Sequence, residues 1–109
     1  MVSRNKLFEV EFTEKCIEEM TEIYEYISNN LKENNAAKRL MTETTSRVLE
    51  LAKVPEIYAK IGKTDRLKRE YRRIVVSNFV ILYTIDFEKR KVYISRIVYG
   101  RNNYLNLYE

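Results

Sequence analysis

Three runs rich in β-branched and aromatic residues constrain the fold of this chain more than any other feature. They cover residues 71–76, 79–86 and 92–99. Side chains of these types fit the pleated surface of a β-sheet. The breaks between the runs, residues 77–78 and 87–91, have the length of hairpin loops. The pattern predicts an antiparallel β-meander, and its middle strand, apolar on both faces over residues 79–85, should be central.

A fourth strand is predicted near the start of the chain. Residues 6–12 alternate between the two sides of an extended chain, with the apolar Phe8, Val10 and Phe12 on one face and acidic residues on the other. This period of two is typical of a half-buried strand. Thr13 follows as a hydroxyl N-cap, and Phe12 and Ile17 occupy the two positions of a hydrophobic staple, so a helix should begin there.

Two amphipathic helices are predicted after the first strand. The apolar residues of the first recur at helical spacing to about residue 30: Cys16, Ile17, Met20, Ile23, Tyr24, Ile27 and Leu31. Asparagines at 29, 30, 34 and 35 interrupt the pattern, and a second helix is predicted over 36–53, closed by Pro55. Helices joined this closely must run antiparallel. We interpret both apolar stripes as core packing, with coiled-coil dimerisation as the alternative.

Together the elements predict an α+β fold. An N-terminal strand and an α-helical hairpin should pack on a four-stranded, mainly antiparallel sheet. The chain has 109 residues, enough for one compact core, so residues 1–109 are predicted to form a single domain.

The composition excludes several kinds of chemistry. The chain has no His, which removes the Ser-His-Asp triad and most zinc sites, and only 2 Gly, too few for a Gly-rich phosphate loop. Cys16 is the single cysteine, so we expect a packed thiol, no internal disulfide and a reducing cytoplasm. We also expect no signal peptide, membrane span, metal or cofactor.

The charge is divided between the halves of the chain. Residues 1–56 carry 8 Lys and Arg against 11 Asp and Glu, whereas residues 57–109 carry 12 against 5. A basic half is typical of a polyanion-binding face. The densest basic stretch, residues 60–73, is interpreted as a loop that leads into a strand and is either solvated or in contact with a polyanion.

Candidate site residues are four arginines and three tyrosines of the basic half. Arg72, Arg73, Arg96 and Arg101 lie on or beside neighbouring predicted strands, where guanidinium groups can converge on a phosphate. In the alternative interpretation, Arg96 pairs with a helix carboxylate such as Glu22 or Glu25. Tyr99, Tyr104 and Tyr108 lie near the basic end of the chain, where they can stack on exposed bases.

The order of elements and three sequence segments resemble the RelE/ParE family of toxins from bacterial type II toxin-antitoxin modules. The segments are FEVEFT with IEEMTEIYEYI within residues 8–27, YRRIVVSNFVILYTID at 71–86 and VYISRIVYGRNNY at 92–104. The resemblance covers nearly the whole chain. It implies a partner, a cognate antitoxin that is small, acidic and partly disordered, and a target, either DNA gyrase or ribosome-bound mRNA.

The resemblance implies two mechanisms on one scaffold. For a RelE-like ribosome-dependent mRNA endonuclease it implies Arg73, Arg101 and Tyr104 as catalytic residues. For a ParE-like gyrase inhibitor the target-binding residues would be Arg72, Arg96, Tyr99, Arg101 and Tyr108. Val80 and Asn102 stand where RelE-like enzymes carry basic residues, so the sequence favours the ParE-like mechanism. An inactivated relative that only binds antitoxin is a further alternative.

Overall fold

The computed structural model describes residues 7–30, 34–61 and 70–100. Within these ranges, four strands, two α-helices and a short π-helix follow in the order β1, α1, π-helix, α2, β2, β3 and β4. Their bounds are Glu9–Phe12 for β1, Glu14–Glu25 for α1, Tyr26–Asn30 for the π-helix, Asn34–Glu50 for α2, Arg72–Val76 for β2, Phe79–Asp86 for β3 and Lys91–Tyr99 for β4. The predicted α+β fold is confirmed.

The four strands form one sheet in the order β1-β4-β3-β2. Both hairpins of the meander are antiparallel, as predicted, and β1 pairs in parallel with β4, so that Val10 lies opposite Val92. The middle strand β3 is buried over residues 79–84, which confirms its central position. β1 and β2 are the outer strands, and residues 59–61 pair with the start of β2 on its outer side.

One face of the sheet and the helix hairpin enclose the core. Its buried side chains come from α1, α2 and the three meander strands: Cys16, Leu40, Val48, Leu51, Ile74, Val76, Phe79, Ile81, Tyr83, Val92, Ile94 and Ile97. Phe8, Val10 and Phe12 pack against this core from β1, as their alternation predicts. Core packing is therefore confirmed for Cys16, Met20, Ile23 and Ile27 of the first stripe, and Leu31 lies outside the described residues.

The first helix differs from its prediction in two respects. The α-helix ends at Glu25, and a π-helix carries the chain through Tyr26–Asn30. Ile17, predicted as part of the buried stripe, is 52% exposed, whereas Cys16 has no exposed surface. The Thr13 hydroxyl accepts a hydrogen bond from the Cys16 backbone N–H at 3.1 Å, so the predicted N-cap is confirmed. With the helix start fixed in this way, Cys16 faces the sheet, and Ile17, 100° further round the helix, turns away from it.

The α2 helix begins and ends earlier than predicted. It spans Asn34–Glu50, and residues 51–53 form turns instead of a last helical turn. Ala37, Leu40, Thr44 and Val48 form its buried face. Leu51 is also buried, although it lies beyond the helix. A turn therefore replaces the end of the predicted helix without losing the core contact of Leu51.

Side chains from α1 continue the hydrogen bonding of β4 where β1 ends. β1 pairs only with Lys91–Ile94 of the nine-residue β4. Beyond this point the Thr13 hydroxyl donates to the Ser95 carbonyl at 3.0 Å, and the Ile97 N–H donates to Glu19 Oε1 at 3.1 Å. The pairing of β3 with β4 shifts register here, so that Ser95 is an extra, bulged residue. α1 thus closes the part of the strand edge that β1 leaves open.

Two buried titratable groups lie in the core. Burial raises the pKa of Cys16 from 9.0 to about 12, with the Glu19 charge adding to the rise and Arg96 opposing it. Burial also raises the pKa of Tyr83 from 10.0 to about 12, opposed by the Arg72 charge. Both groups therefore hold their protons more tightly in the folded chain than in the unfolded one.

Stability at alkaline pH should fall in consequence. The contribution of these protonated groups is complete below the ordinary cysteine pKa of 9.0 and is lost as the pH rises towards about 12. We expect the free energy of unfolding, measured by urea denaturation, to fall over this range, and to fall less steeply in Cys16→Ala. An equally steep fall in this variant would contradict a contribution of the Cys16 thiol to the loss of stability at alkaline pH.

Candidate functional site

Arg72, a predicted target-binding residue, is held by the backbone of its own chain. Its guanidinium donates to the Tyr58 carbonyl at 2.7 Å and to the Glu56 carbonyl at 3.3 Å, and the residue is only 8% exposed. The Glu56 carboxylate lies 3.6 Å away but is largely exposed, so it adds little. The hydroxyl of buried Tyr83 donates to the Pro55 carbonyl at 2.8 Å. Hydrogen bonds from Arg72 and Tyr83 therefore hold residues 55–58, which follow α2, against the sheet.

Arg96 is paired with a carboxylate of α1. Its Nε and one terminal nitrogen both donate to Glu19 Oε2, at 2.8 and 2.6 Å. The predicted alternative of a helix carboxylate is therefore observed, but the partner is Glu19, not Glu22 or Glu25. Glu22 and Glu25 are exposed on other sides of α1, whereas Glu19 lies against β4. Two charge-assisted bonds to one oxygen hold the Arg96 guanidinium in a fixed orientation.

Arg73 and Arg96 lie in one row across the sheet. Arg73 of β2 is opposite Leu82 of β3, which is opposite Arg96 of β4. Directly opposed residues present their side chains on the same face. Strand spacing separates the two arginines by about 10 Å at their Cα atoms. The register thus places two of the predicted arginines on a common face, whereas Arg72, one residue earlier, points to the other.

The next row on this face is apolar. Val80 of β3 is opposite Val75 of β2 and Val98 of β4. Val80 has no exposed surface. The position where the resemblance implies an arginine in RelE-like enzymes is thus a buried valine in a row of valines.

Tyr99 is the exposed aromatic residue at the end of β4. It is 67% exposed, and its ring meets Phe79 edge to face at 5.3 Å between centroids. Gly100 follows with φ of 95° and donates its N–H to the Asn78 carbonyl at 2.8 Å. This bond ties the end of β4 to the β2–β3 turn, so the Tyr99 ring is presented on an anchored strand. The remaining predicted site residues, Arg101, Tyr104 and Tyr108, lie outside the described residues, as does Asn102.

A groove of about 710 Å³ runs between the two helices, on the outer side of the hairpin. Its lining is mostly apolar and consists of Phe12, Ile17, Met20, Thr21, Tyr24, Glu25, Ser28, Asn29, Met41 and Thr45. The buried Ser28 hydroxyl has no hydrogen-bond partner among the residues that the structure describes. π-Helices such as the one that carries Ser28 are frequent at functional sites. The groove is a second candidate site, separate from the arginine row.

Sequence reasoning missed both Glu19 and the groove. Glu19 falls beside the buried stripe, three residues after Cys16 and four before Ile23, which marks it as a helix carboxylate that can face the sheet. Ile17, Thr21, Tyr24 and Ser28 form a stripe of their own at three- and four-residue steps. Ile17 and Tyr24 also fall at the spacing of the core stripe, so the sequence pattern alone does not separate the two stripes.

Comparison with protein families identifies one match. A family model described as the ParE toxin of the type II toxin-antitoxin system parDE matches residues 10–104. No curated protein sequence matches the chain. Within the described residues, no helix combines the length and apolar character needed to cross a bilayer.

Solved toxin structures share the fold at low sequence identity. The chain is similar to a chromosomal ParDE system from P. aeruginosa, with a TM-score of 0.69, 14% identity and coverage of 88% of this chain and 99% of the other. It is also similar to a RelBE2 toxin-antitoxin complex from Mycobacterium tuberculosis (TM-score 0.62, 15% identity, coverage 88% and 94%). The isolated RelE toxin of E. coli gives a TM-score of 0.55 at 13% identity, with 92% of each chain covered.

Proposed function

From the premise that this chain belongs to the ParE toxin family of type II toxin-antitoxin systems, we propose that it arrests bacterial growth by binding and inhibiting DNA gyrase. In this proposal the chain is a binding toxin that needs no catalytic site of its own. Tyr99, Arg101 and Tyr108 supply contacts to the target in the cytoplasm.

The residue at position 80 supports this proposal. RNA cleavage needs cations directed at the scissile phosphate, where negative charge develops in the transition state. Glu19 pairs with Arg96, and the backbone carbonyls of residues 56 and 58 hold Arg72, so the proposed target contacts leave these two arginines out. Val80 places an apolar side chain between the arginine row and the end of the sheet. The buried Val80, at the position where the resemblance implies an arginine in RelE-like enzymes, favours the binding toxin. The RelE-like endonuclease remains the alternative through Arg73, Arg101 and Tyr104.

The first test is controlled expression in a bacterial host with pulse labelling of DNA and protein synthesis in one culture. We expect DNA synthesis to stop first, and purified chain to inhibit supercoiling by gyrase. A prompt fall in translation with DNA synthesis intact would favour the endonuclease instead. If neither process stops, the inactivated relative is the better interpretation.

A matched pair of variants tests the target surface. Tyr99→Ala removes an exposed ring at the end of β4 and should weaken gyrase inhibition by about tenfold or more, as loss of an aromatic anchor does at other interfaces. Tyr26→Ala removes a similarly exposed ring, 54% accessible, from the π-helix and should leave inhibition within about twofold of the wild type. Equal losses in the two variants would contradict a contact through Tyr99.

A cognate antitoxin is the second part of the proposal. The similar structures include toxin-antitoxin complexes of RelBE2 and of an archaeal RelE–RelB pair. In this chain, the groove between α1 and α2 has the shape and apolar lining that an amphipathic helix fits. The antitoxin is proposed to lay such a helix into the groove and to neutralise the toxin from there.

A further inference from the structure

The rim of the helix groove is acidic along its α1 side. Glu25 lines the groove directly. Glu14 and Glu18 share its side of the helix, since they precede the groove residue Thr21 by seven and three residues, and Glu25 follows it by four. All three glutamates are exposed, and none is paired with a cation among the described residues. Carboxylates at i and i+4 repel one another on a helix, so a cationic neighbour would stabilise this rim.

The α2 side of the groove is less charged. It is formed by Met41 and Thr45, and Lys38 lies one turn before Met41. A shallow depression lined by Thr42, Ser46 and Leu49 continues the surface along α2. The groove therefore combines an apolar floor, a largely uncharged wall and an acidic rim.

We propose that the groove selects an amphipathic helix whose apolar face is flanked by Lys or Arg, and that Glu18 and Glu25 discriminate in favour of those cations. This inference rests on the proposed function, because the natural occupant would be the antitoxin helix. It adds that this helix is basic at its edge, even where the antitoxin as a whole is acidic. The apolar floor supplies affinity, and the rim supplies selectivity and register.

The net charge of the chain makes the proposal sharply testable. At +4, the protein as a whole attracts acidic peptides in preference to basic ones. A preference for a basic peptide must therefore come from a local acidic surface and not from the overall charge.

The test uses two synthetic helical peptides of about 18 residues, with the same leucines at i, i+3, i+4 and i+7 spacing. One carries Lys on both flanks of the leucine stripe and the other carries Glu, so the result does not depend on which way the peptide runs. Binding to the full chain is measured by fluorescence anisotropy. We expect the Lys peptide to bind about tenfold more tightly at about 0.05 M salt, and the difference to shrink at about 0.5 M salt as charges are screened.

Charge reversal on the rim gives the decisive comparison. In Glu18→Lys/Glu25→Lys the preference for the Lys peptide over the Glu peptide should disappear or invert. The control Glu50→Lys/Glu88→Lys changes the net charge equally, but Glu88 lies in the turn between β3 and β4, and Glu50 is half a turn out of phase with Met41. It should leave the preference within about twofold of the wild type. Thr45→Arg, which places a large side chain in the groove, should weaken the binding of both peptides.

Each contrary result has a definite meaning. Tighter binding of the Glu peptide to the wild type, equal effects of the two charge reversals, or no binding of either peptide would overturn the inference. Growth arrest and gyrase inhibition are measured without the peptides, so a failure of the proposed function would be seen separately.

Discussion

Glu19→Ala should lower the free energy of unfolding by about 3 kcal/mol, far more than removal of any exposed glutamate of α1. The Glu19 carboxylate does two things at once. One oxygen accepts both bonds from Arg96, and the other accepts the backbone N–H of Ile97. Its side chain is only 12% exposed, and that of Arg96 only 26%. Alanine therefore removes the Glu19 oxygens that now accept from a mostly buried guanidinium and from a strand N–H.

Urea denaturation of matched variants measures this effect. Glu22→Ala, on the same helix but exposed, should change the free energy of unfolding by less than about 0.5 kcal/mol. A double-mutant cycle of Glu19→Ala with Arg96→Ala should give a coupling energy of about 2 kcal/mol. Glu19→Gln keeps an oxygen for the Ile97 N–H and should cost less than alanine. The assignment fails if Glu19→Ala and Glu22→Ala are equally mild.

Arg72→Met should cost a similar amount, about 3 kcal/mol, for a different reason. Methionine fills much of the same volume but leaves the carbonyls of Glu56 and Tyr58 without the guanidinium that now donates to them. Arg72→Lys should lower the free energy of unfolding by less than Arg72→Met does. It should still cause a loss, because an ammonium on a flexible side chain cannot reproduce the hydrogen-bonding geometry of the planar guanidinium. Residues 55–58 would then keep the Tyr83 hydroxyl bond to the Pro55 carbonyl and the packing of Tyr58 against the core.

The control for Arg72 is Glu56→Gln. It removes the ion pair at 3.6 Å but keeps the Glu56 backbone carbonyl, and the carboxylate is 61% exposed. We expect a loss of less than about 0.5 kcal/mol in urea denaturation. A large loss in Glu56→Gln with a small one in Arg72→Met would show that the ion pair, and not the carbonyl bonds, anchors the arginine. If toxicity is lost in Arg72→Met only in proportion to the unfolded fraction, Arg72 has no separate contact to the target.

The sheet was predictable because its signals are local. β-Branched runs and short polar breaks fix the meander, and the structure places each predicted strand boundary within one residue for β2, β3 and β4. The first strand and the Thr13 N-cap were equally predictable from local sequence. The parallel partner of β1 was not, since alternation shows which face is buried but not which strand lies alongside.

The candidate site was less predictable because it depends on how elements meet. In sequence, Arg72 and Arg73 differ only by position, and the carbonyls of residues 56 and 58 determine which of them is buried. The partner of Arg96 depends on the rotation of α1 about its axis, which the cap at Thr13 sets and which brings Glu19 to β4. The groove exists only once two helices lie side by side, so a single stripe such as Ile17 and Thr21 does not reveal it.

The parallel pairing of β1 with β4 determines when the fold can be completed during synthesis. Thr13 binds Ser95, 82 residues further along the chain. At ribosomal rates of about 5 to 20 residues per second, roughly 4 to 16 seconds pass between the synthesis of these two partners. In that interval β1 has no strand to pair with, and the part of β4 on which α1 rests does not yet exist. The helix hairpin is made well before the sheet, so the nascent chain presents its helices to the cell before the toxin fold can form.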